Sequence, residues 1–135
     1  MKVRFLVVVL ITLVAFGLVS AQRAEALTVT AYWSGCVAGT FSLNLMDEVS
    51  PANVFIVSGK LYSGLQLPVT GTAVLDTTFN VYRLSLFSTS AVGETLTFGM
   101  EIDPVTLIGT GYEQRIAHGS VDSDCVGSLS GIIIQ

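Results

Sequence analysis

Few residues of this chain have the types and spacing that chemistry needs. There are two cysteines, Cys36 and Cys125, and one histidine, His118. A zinc site needs three or four ligands, mostly nitrogen or sulfur, and a redox-active pair commonly has Cys-x-x-Cys spacing. Neither pattern is present. We therefore predict that Cys36 and Cys125 form one disulfide that joins the first and last strands of the fold, and we expect no metal site and no cofactor.

Serine, histidine and aspartate lie close together near the end of the chain, but they form no known catalytic motif. Ser120, Asp122 and Asp124 follow His118 without a nucleophile elbow. The two aspartates also resemble the start of a calcium loop, which would need a glycine and a distant glutamate after them. Aspartate favours turns, because its side chain hydrogen-bonds to nearby backbone amides. We predict a surface position for His118, a turn at 122–124 and no catalytic residues.

Three other charged residues leave alternatives open. Glu101 and Glu113 fall on neighbouring predicted strands, and paired carboxylates are the catalytic groups of glycoside hydrolases. A small carboxylate-based hydrolase is therefore an alternative function. Arg83 lies within a run that is apolar on both sides. If it faced a barrel interior it would need a carboxylate or an anionic ligand, whereas a register shift would place it outside.

The elements that must position these residues are β-strands. Apolar and polar residues alternate in runs rich in threonine, β-branched and aromatic residues, and after the N-terminal segment no window has helical spacing. The predicted strands span 27–33, 39–46, 53–62, 69–75, 79–87, 95–102, 105–112 and 116–121, and a terminal strand runs from 125 to 135. The short connections favour antiparallel neighbours. The predicted fold class is all-β, a small antiparallel barrel of about eight strands, with a β-sandwich as the alternative.

Glycines within the strands favour the barrel. In closed sheets, interior glycines mark bulges, tight bends or close approach of the backbones. The glycines inside strand candidates are Gly59, Gly71, Gly99, Gly109, Gly111, Gly127 and Gly131.

The terminal residues 132–134 are isoleucines, and such a strand is an aggregation hazard if its edge is free. We expect it to pair with the first strand or with another chain.

The N-terminal segment has the features of an export signal. Basic residues precede an uncharged run of fifteen residues, and small-x-small cleavage sites end at Ala21 and Ala26. The run is shorter than the ~20 residues of a transmembrane helix, although an uncleaved anchor is an alternative. We predict a cleavable signal peptide at 1–26, a single β domain at 27–135 and an exported protein, either extracellular or periplasmic.

The charge of the domain limits its partners. From Leu27 onward, three basic residues stand against nine acidic residues, for a formal charge of −6. Binding to nucleic acid depends on lysine and arginine at the phosphates, and anionic lipid surfaces repel an acidic protein. We expect no nucleic-acid partner and no stable membrane association after removal of the signal.

These features together predict a non-enzymatic binding module. Its ligand would be an apolar small molecule at the barrel mouth, or a protein partner on the acidic outer face. The predicted ligand-binding residues are Tyr82, Arg83, Phe98 and Tyr112, whose aromatic or polar-tipped side chains could line a barrel. The alternative to binding is a self-associating structural subunit, of the envelope or extracellular space, that uses the terminal strand.

Overall fold

The computed structural model of the chain describes residues 26–47, 52–90 and 92–135. These residues form eight antiparallel strands in a closed barrel, in which each strand pairs with the next and the eighth pairs with the first. The strands are β1 (Ala26–Ser34), β2 (Ala38–Asp47), β3 (Val54–Ser63), β4 (Leu65–Asp76), β5 (Val81–Thr89), β6 (Thr95–Asp103), β7 (Ile108–Ala117) and β8 (Ser120–Ile134). The predicted antiparallel barrel is confirmed, and the sandwich alternative is wrong.

The predicted signal peptide lies outside the described residues, except for Ala26, which begins β1. Within the described ranges, no helix is long and apolar enough to cross a membrane.

The interior of the barrel is filled by apolar side chains that form one cluster. Along β1, for example, Val29, Ala31 and Trp33 face inward, whereas Thr30 and Tyr32 lie on the outer wall. This alternation follows from the two-residue period of a strand. The largest side chains buried at the centre are Trp33, Phe41, Leu43, Leu45, Leu61, Leu84, Leu86 and Ile102. The core therefore occupies the space that a ligand would need inside the barrel.

The first and last strands close the barrel along one seam. The backbones of Thr28 and Gln135 exchange hydrogen bonds of 2.8 and 2.9 Å. Further along the seam the register shifts by one residue between Thr30 and Tyr32, opposite Gly131, whose φ is +58°. Glycine adopts this left-handed conformation without a steric penalty, which allows the bulge. The expected pairing of the terminal strand with the first strand is confirmed.

Glycines also permit a close approach between neighbouring strands. A Cβ at Gly71 would overlap the carbonyl oxygen of Ser85, and a Cβ at Gly59 would overlap that of Ser42. Only a residue without a side chain fits at these two points, which agrees with the close approach of backbones that the glycine pattern predicts for a closed sheet.

The predicted turn at 122–124 is wrong, because the chain turns earlier. His118 and Gly119 have φ values of 53° and 77°, so these two residues make the hairpin turn between β7 and β8. His118 is exposed there, as predicted. The aspartates instead lie within β8, where Asp122 accepts hydrogen bonds from the guanidinium of Arg115. These bonds raise the pKa of Arg115.

The seventh strand also begins later than predicted, at Ile108. The carboxylate of Asp103 accepts hydrogen bonds from the backbone amides of Thr106 and Val105, at 3.1 and 2.8 Å. These two bonds lower the pKa of Asp103. An aspartate that binds the amides ahead of it stabilises a turn, so the residues from 104 to 107 do not extend the strand.

Ser88 is buried on the inner face of β5, and its side chain is unpaired. The residue is 2% exposed, and its hydroxyl has no hydrogen-bond partner among the described residues. Because an unpaired buried hydroxyl costs about 1–3 kcal/mol, we expect Ser88→Ala to raise the free energy of unfolding by about 1 kcal/mol in urea denaturation. Ser85→Ala, on the outer face of the same strand, is the control and should change it by less than about 0.5 kcal/mol. A loss of stability in Ser88→Ala would show that the hydroxyl is hydrogen-bonded, for example to a buried water.

Candidate functional site

A depression on the outer wall crosses β5, β6 and β7 and has a volume of about 370 Å³. Its side chains come from alternate positions of three strands that point away from the core. They are Arg83 and Ser85 of β5, Gly99 and Glu101 of β6, and Thr110 and Tyr112 of β7. The depression is therefore produced by the outward half of each strand, whose inward half builds the core.

The strand register arranges these residues in two parallel rows. Directly opposed residues form the rows Arg83–Glu101–Thr110 and Ser85–Gly99–Tyr112. The Cβ atoms of opposed residues in an antiparallel pair are about 4.5–5.5 Å apart, so side chains within a row interact. One row contributes charge and hydrogen bonds, and the other contributes small residues beside one aromatic ring.

Arg83 lies on the outer wall between two carboxylates. Its Nη1 is 2.5 Å from Oε1 of Glu101, and its Nε is 3.4 Å from Oδ2 of Asp76. The side chains of Arg83 and Glu101 are about half exposed. An exposed ion pair contributes at most about 1 kcal/mol to stability, so its main consequence is to hold a donor and an acceptor side by side.

Tyr112 leans across its cross-strand partner Gly99. Its Cε1 is 2.6 Å from the point that a Cβ of Gly99 would occupy, so the ring takes the space of the missing side chain. Tyr112 is nevertheless 54% exposed. An aromatic ring that covers a strand glycine stabilises the pairing, and here it also presents apolar surface to solvent beside the ion pair.

A second depression, of about 470 Å³, adjoins the first and shares Ser85 with it. Ile56 and Phe87 are its exposed apolar residues, at 50% and 51% exposure. On β4, Thr72 pairs with both Ile56 and Ser85, and Thr70 pairs with Phe87. The outer wall therefore carries two neighbouring depressions, each with one exposed aromatic ring.

The structure brings together two of the four predicted ligand-binding residues. Arg83 and Tyr112 line the same outer depression. Tyr82 is half-buried at one end of the barrel, where it packs against Phe55 and lines a separate depression of about 400 Å³. Phe98 belongs to the core and makes edge-to-face contacts with neighbouring aromatic rings.

The two glutamates considered as a catalytic pair lie on opposite faces of the wall. Glu101 is exposed outside, whereas Glu113 is 1% exposed and faces inward. The carboxylate of Glu113 accepts hydrogen bonds from Nε1 of Trp33, at 2.6 Å, and from the amide of Val37, at 2.5 Å. Because the barrel wall separates them, these carboxylates cannot act on one glycosidic bond.

The predicted disulfide between Cys36 and Cys125 is confirmed. It joins the turn after β1 to β8, with 5.8 Å between the two Cα atoms. A carboxylate oxygen of Glu113 lies within 4.8 Å of both sulfurs, but the sulfurs are bonded to each other. A disulfide is typical of proteins outside the cytoplasm.

Sequence reasoning missed Ser85, Gly99 and Thr110 as parts of the site. Small residues on a strand have no chemical signature of their own, and only the strand register places them beside Tyr112 and Arg83. Comparisons with protein-family models, with curated proteins and with solved structures find no match for this chain.

Proposed function

We propose that this barrel is a non-enzymatic binding module that holds a small, neutral ligand on its outer wall, over β5, β6 and β7. The observation that carries the proposal is the contrast between a filled interior and an outer depression of about 370 Å³. A barrel of eight strands has room inside for side chains or for one small ligand, and here side chains take that room. The outer depression lies within the range of about 300–1,000 Å³ that ligand sites occupy.

The pairing of Glu101 and the inward position of Glu113 support binding rather than catalysis. A general acid or base must exchange a proton with the substrate, whereas Glu101 is held by Arg83 in an ion pair. Glu113, the other carboxylate considered for catalysis, faces the core. The pair formed by Arg83 and Glu101 is therefore suited to orient a ligand.

Export of the protein is part of the proposal. The disulfide between Cys36 and Cys125 suits an oxidising compartment, and residues 1–26 have the sequence features of a signal peptide.

Two basic residues of the domain, Arg83 and Arg115, are paired with carboxylates. That pairing leaves little positive charge for phosphate groups and supports a neutral ligand.

The proposal is tested by a titration of the oxidised, ¹⁵N-labelled protein with trans-1,2-cyclohexanediol, a neutral probe with an apolar body and two adjacent hydroxyls. We expect chemical-shift changes at the amides of Ser85, Gly99, Thr110 and Tyr112. Tyr112→Ala should abolish them, whereas Tyr62→Ala, which removes an exposed tyrosine from β3, should not. Changes confined to the barrel end around Tyr82, or no changes at millimolar probe, would contradict the proposal.

A further inference from the structure

The exposed ring of Tyr112 is the first feature that narrows the ligand class. The ring leans over Gly99 and leaves its apolar surface open beside hydroxyl groups of Ser85 and Thr110. An aromatic face carries partial negative charge and attracts the weakly positive hydrogens of C–H groups. A ligand for this surface should therefore have one flat face of C–H groups and a polar periphery.

The ion pair beside the ring is the second feature. Arg83 presents N–H donors and Glu101 presents a carboxylate acceptor, joined at 2.5 Å. A hydroxyl group can donate and accept at once, so two adjacent hydroxyls can bond to the donor and to the acceptor together. The planar guanidinium is well suited to such paired hydrogen bonds. This arrangement favours a vicinal diol.

Charge selects against ionic ligands. Two carboxylates, those of Asp76 and Glu101, surround the single guanidinium of Arg83, so the group carries a net charge of about −1. It repels phosphates and uronic acids, and a cation would have to compete with Arg83 for its carboxylates. A neutral ligand with several hydroxyl groups avoids both penalties.

We infer that the ligand is a neutral pyranose sugar of an oligosaccharide, stacked on Tyr112 and hydrogen-bonded to Arg83 and Glu101. The inference rests on the proposed function of the same depression. The neighbouring depression, with exposed Phe87, lies across Ser85 and extends the surface for a further sugar unit. An oligosaccharide is therefore favoured over a single sugar.

The inference is tested by calorimetric and NMR titrations with cellobiose, cellotetraose, maltotetraose, tetra-N-acetylchitotetraose and tri-galacturonate. We expect at least one neutral tetrasaccharide to bind and to shift the amides of Gly99, Thr110 and Tyr112. Tyr112→Ala should weaken binding by about tenfold or more, as expected for loss of one aromatic contact, whereas Tyr112→Phe should keep most of it. Tyr62→Ala is the matched control and should leave the affinity unchanged.

Three further variants test the geometry. Gly99→Ala would push the Tyr112 ring away from its place, and because the ring is the movable end of a side chain, the variant should fold and bind several-fold more weakly. Glu101→Gln should weaken binding, because it breaks the ion pair that orients Arg83. Phe87→Ala should lower the affinity for a tetrasaccharide more than the affinity for a disaccharide.

The outcomes distinguish a failure of the sugar inference from a failure of the proposed binding site. If cyclohexanediol shifts these amides and no neutral sugar does, the sugar is wrong and the binding site stands. Tighter binding of tri-galacturonate than of every neutral sugar would overturn the neutral class. If sugars shift amides elsewhere on the barrel and Tyr112→Ala has no effect, the sugar inference and the proposed function are both wrong.

Discussion

Reduction of the disulfide between Cys36 and Cys125 is expected to lower the free energy of unfolding by about 4 kcal/mol. The bond links residues 89 positions apart, and the chain-entropy model assigns roughly 4.5 kcal/mol to a loop of that length. It also spans the seam between β1 and β8, where the barrel closes. Since a domain typically has only ~5–15 kcal/mol of stability, we expect the melting temperature to fall by roughly 15 °C.

The measurement is denaturant unfolding of the oxidised and reduced protein, followed by the fluorescence of Trp33. This residue is the single tryptophan of the chain and is fully buried. The double variant Cys36→Ser/Cys125→Ser should behave like the reduced protein, and a thiol titration of the denatured, unreduced protein should find no free thiol. Equal unfolding midpoints for the oxidised and reduced forms would show that the seam is held by its hydrogen bonds and packing alone.

Glu113→Ala is expected to lower the free energy of unfolding by about 3–5 kcal/mol. The substitution leaves the indole N–H of Trp33 and the amide of Val37 without their acceptor, and it opens a cavity at a position that is 1% exposed. Each buried N–H donor that is left without an acceptor costs about 1–3 kcal/mol, so two such donors together with the cavity account for a loss of this order. The amide of Val37 also lies in the turn that carries Cys36, so the variant removes one hydrogen bond that attaches that turn to the barrel.

Matched variants distinguish the loss of the hydrogen bonds of Glu113 from the general effect of removing a carboxylate on the free energy of unfolding. Glu113→Gln keeps the volume but has only one acceptor oxygen, so we expect a loss of about 1–3 kcal/mol. Glu101→Gln removes a carboxylate from the outer wall and should change stability by about 1 kcal/mol or less. A double-mutant cycle of Glu113→Gln with Trp33→Phe, measured by circular dichroism, gives the coupling of the two side chains. A Glu113→Ala loss no larger than that of Glu101→Gln would contradict the role of the network.

Some features could be predicted because they follow from local patterns. In the first strand, Val29, Ala31 and Trp33 alternate with polar residues, and all three are buried as the alternation requires. The pairing of Cys36 with Cys125 could be predicted because the chain has no other cysteine. The closed barrel followed from many short strands with interior glycines.

Other features could not be predicted, because alternation does not say which side of a strand faces inward. The run from 79 to 87 is apolar on both faces, so Arg83 could be assigned to either side. In the structure Leu84 and Leu86 face the core, and Phe87 is exposed together with Arg83. The burial of Glu113 could not be predicted either, because its hydrogen-bond partner Trp33 is 80 residues away in sequence.

Strand period, turn residues and cysteine number are local or compositional properties, and they were enough to predict an all-β, antiparallel chain with one disulfide between its first and last strands. By contrast, the placement of Arg83 opposite Glu101 and of the Tyr112 ring over Gly99 became known only from the folded barrel. Those contacts depend on the register of neighbouring strands, which is set by the turns between them and by closure of the barrel. A shift of one residue would have moved each side chain to the other face of the wall, so the outer site exists only in the folded barrel.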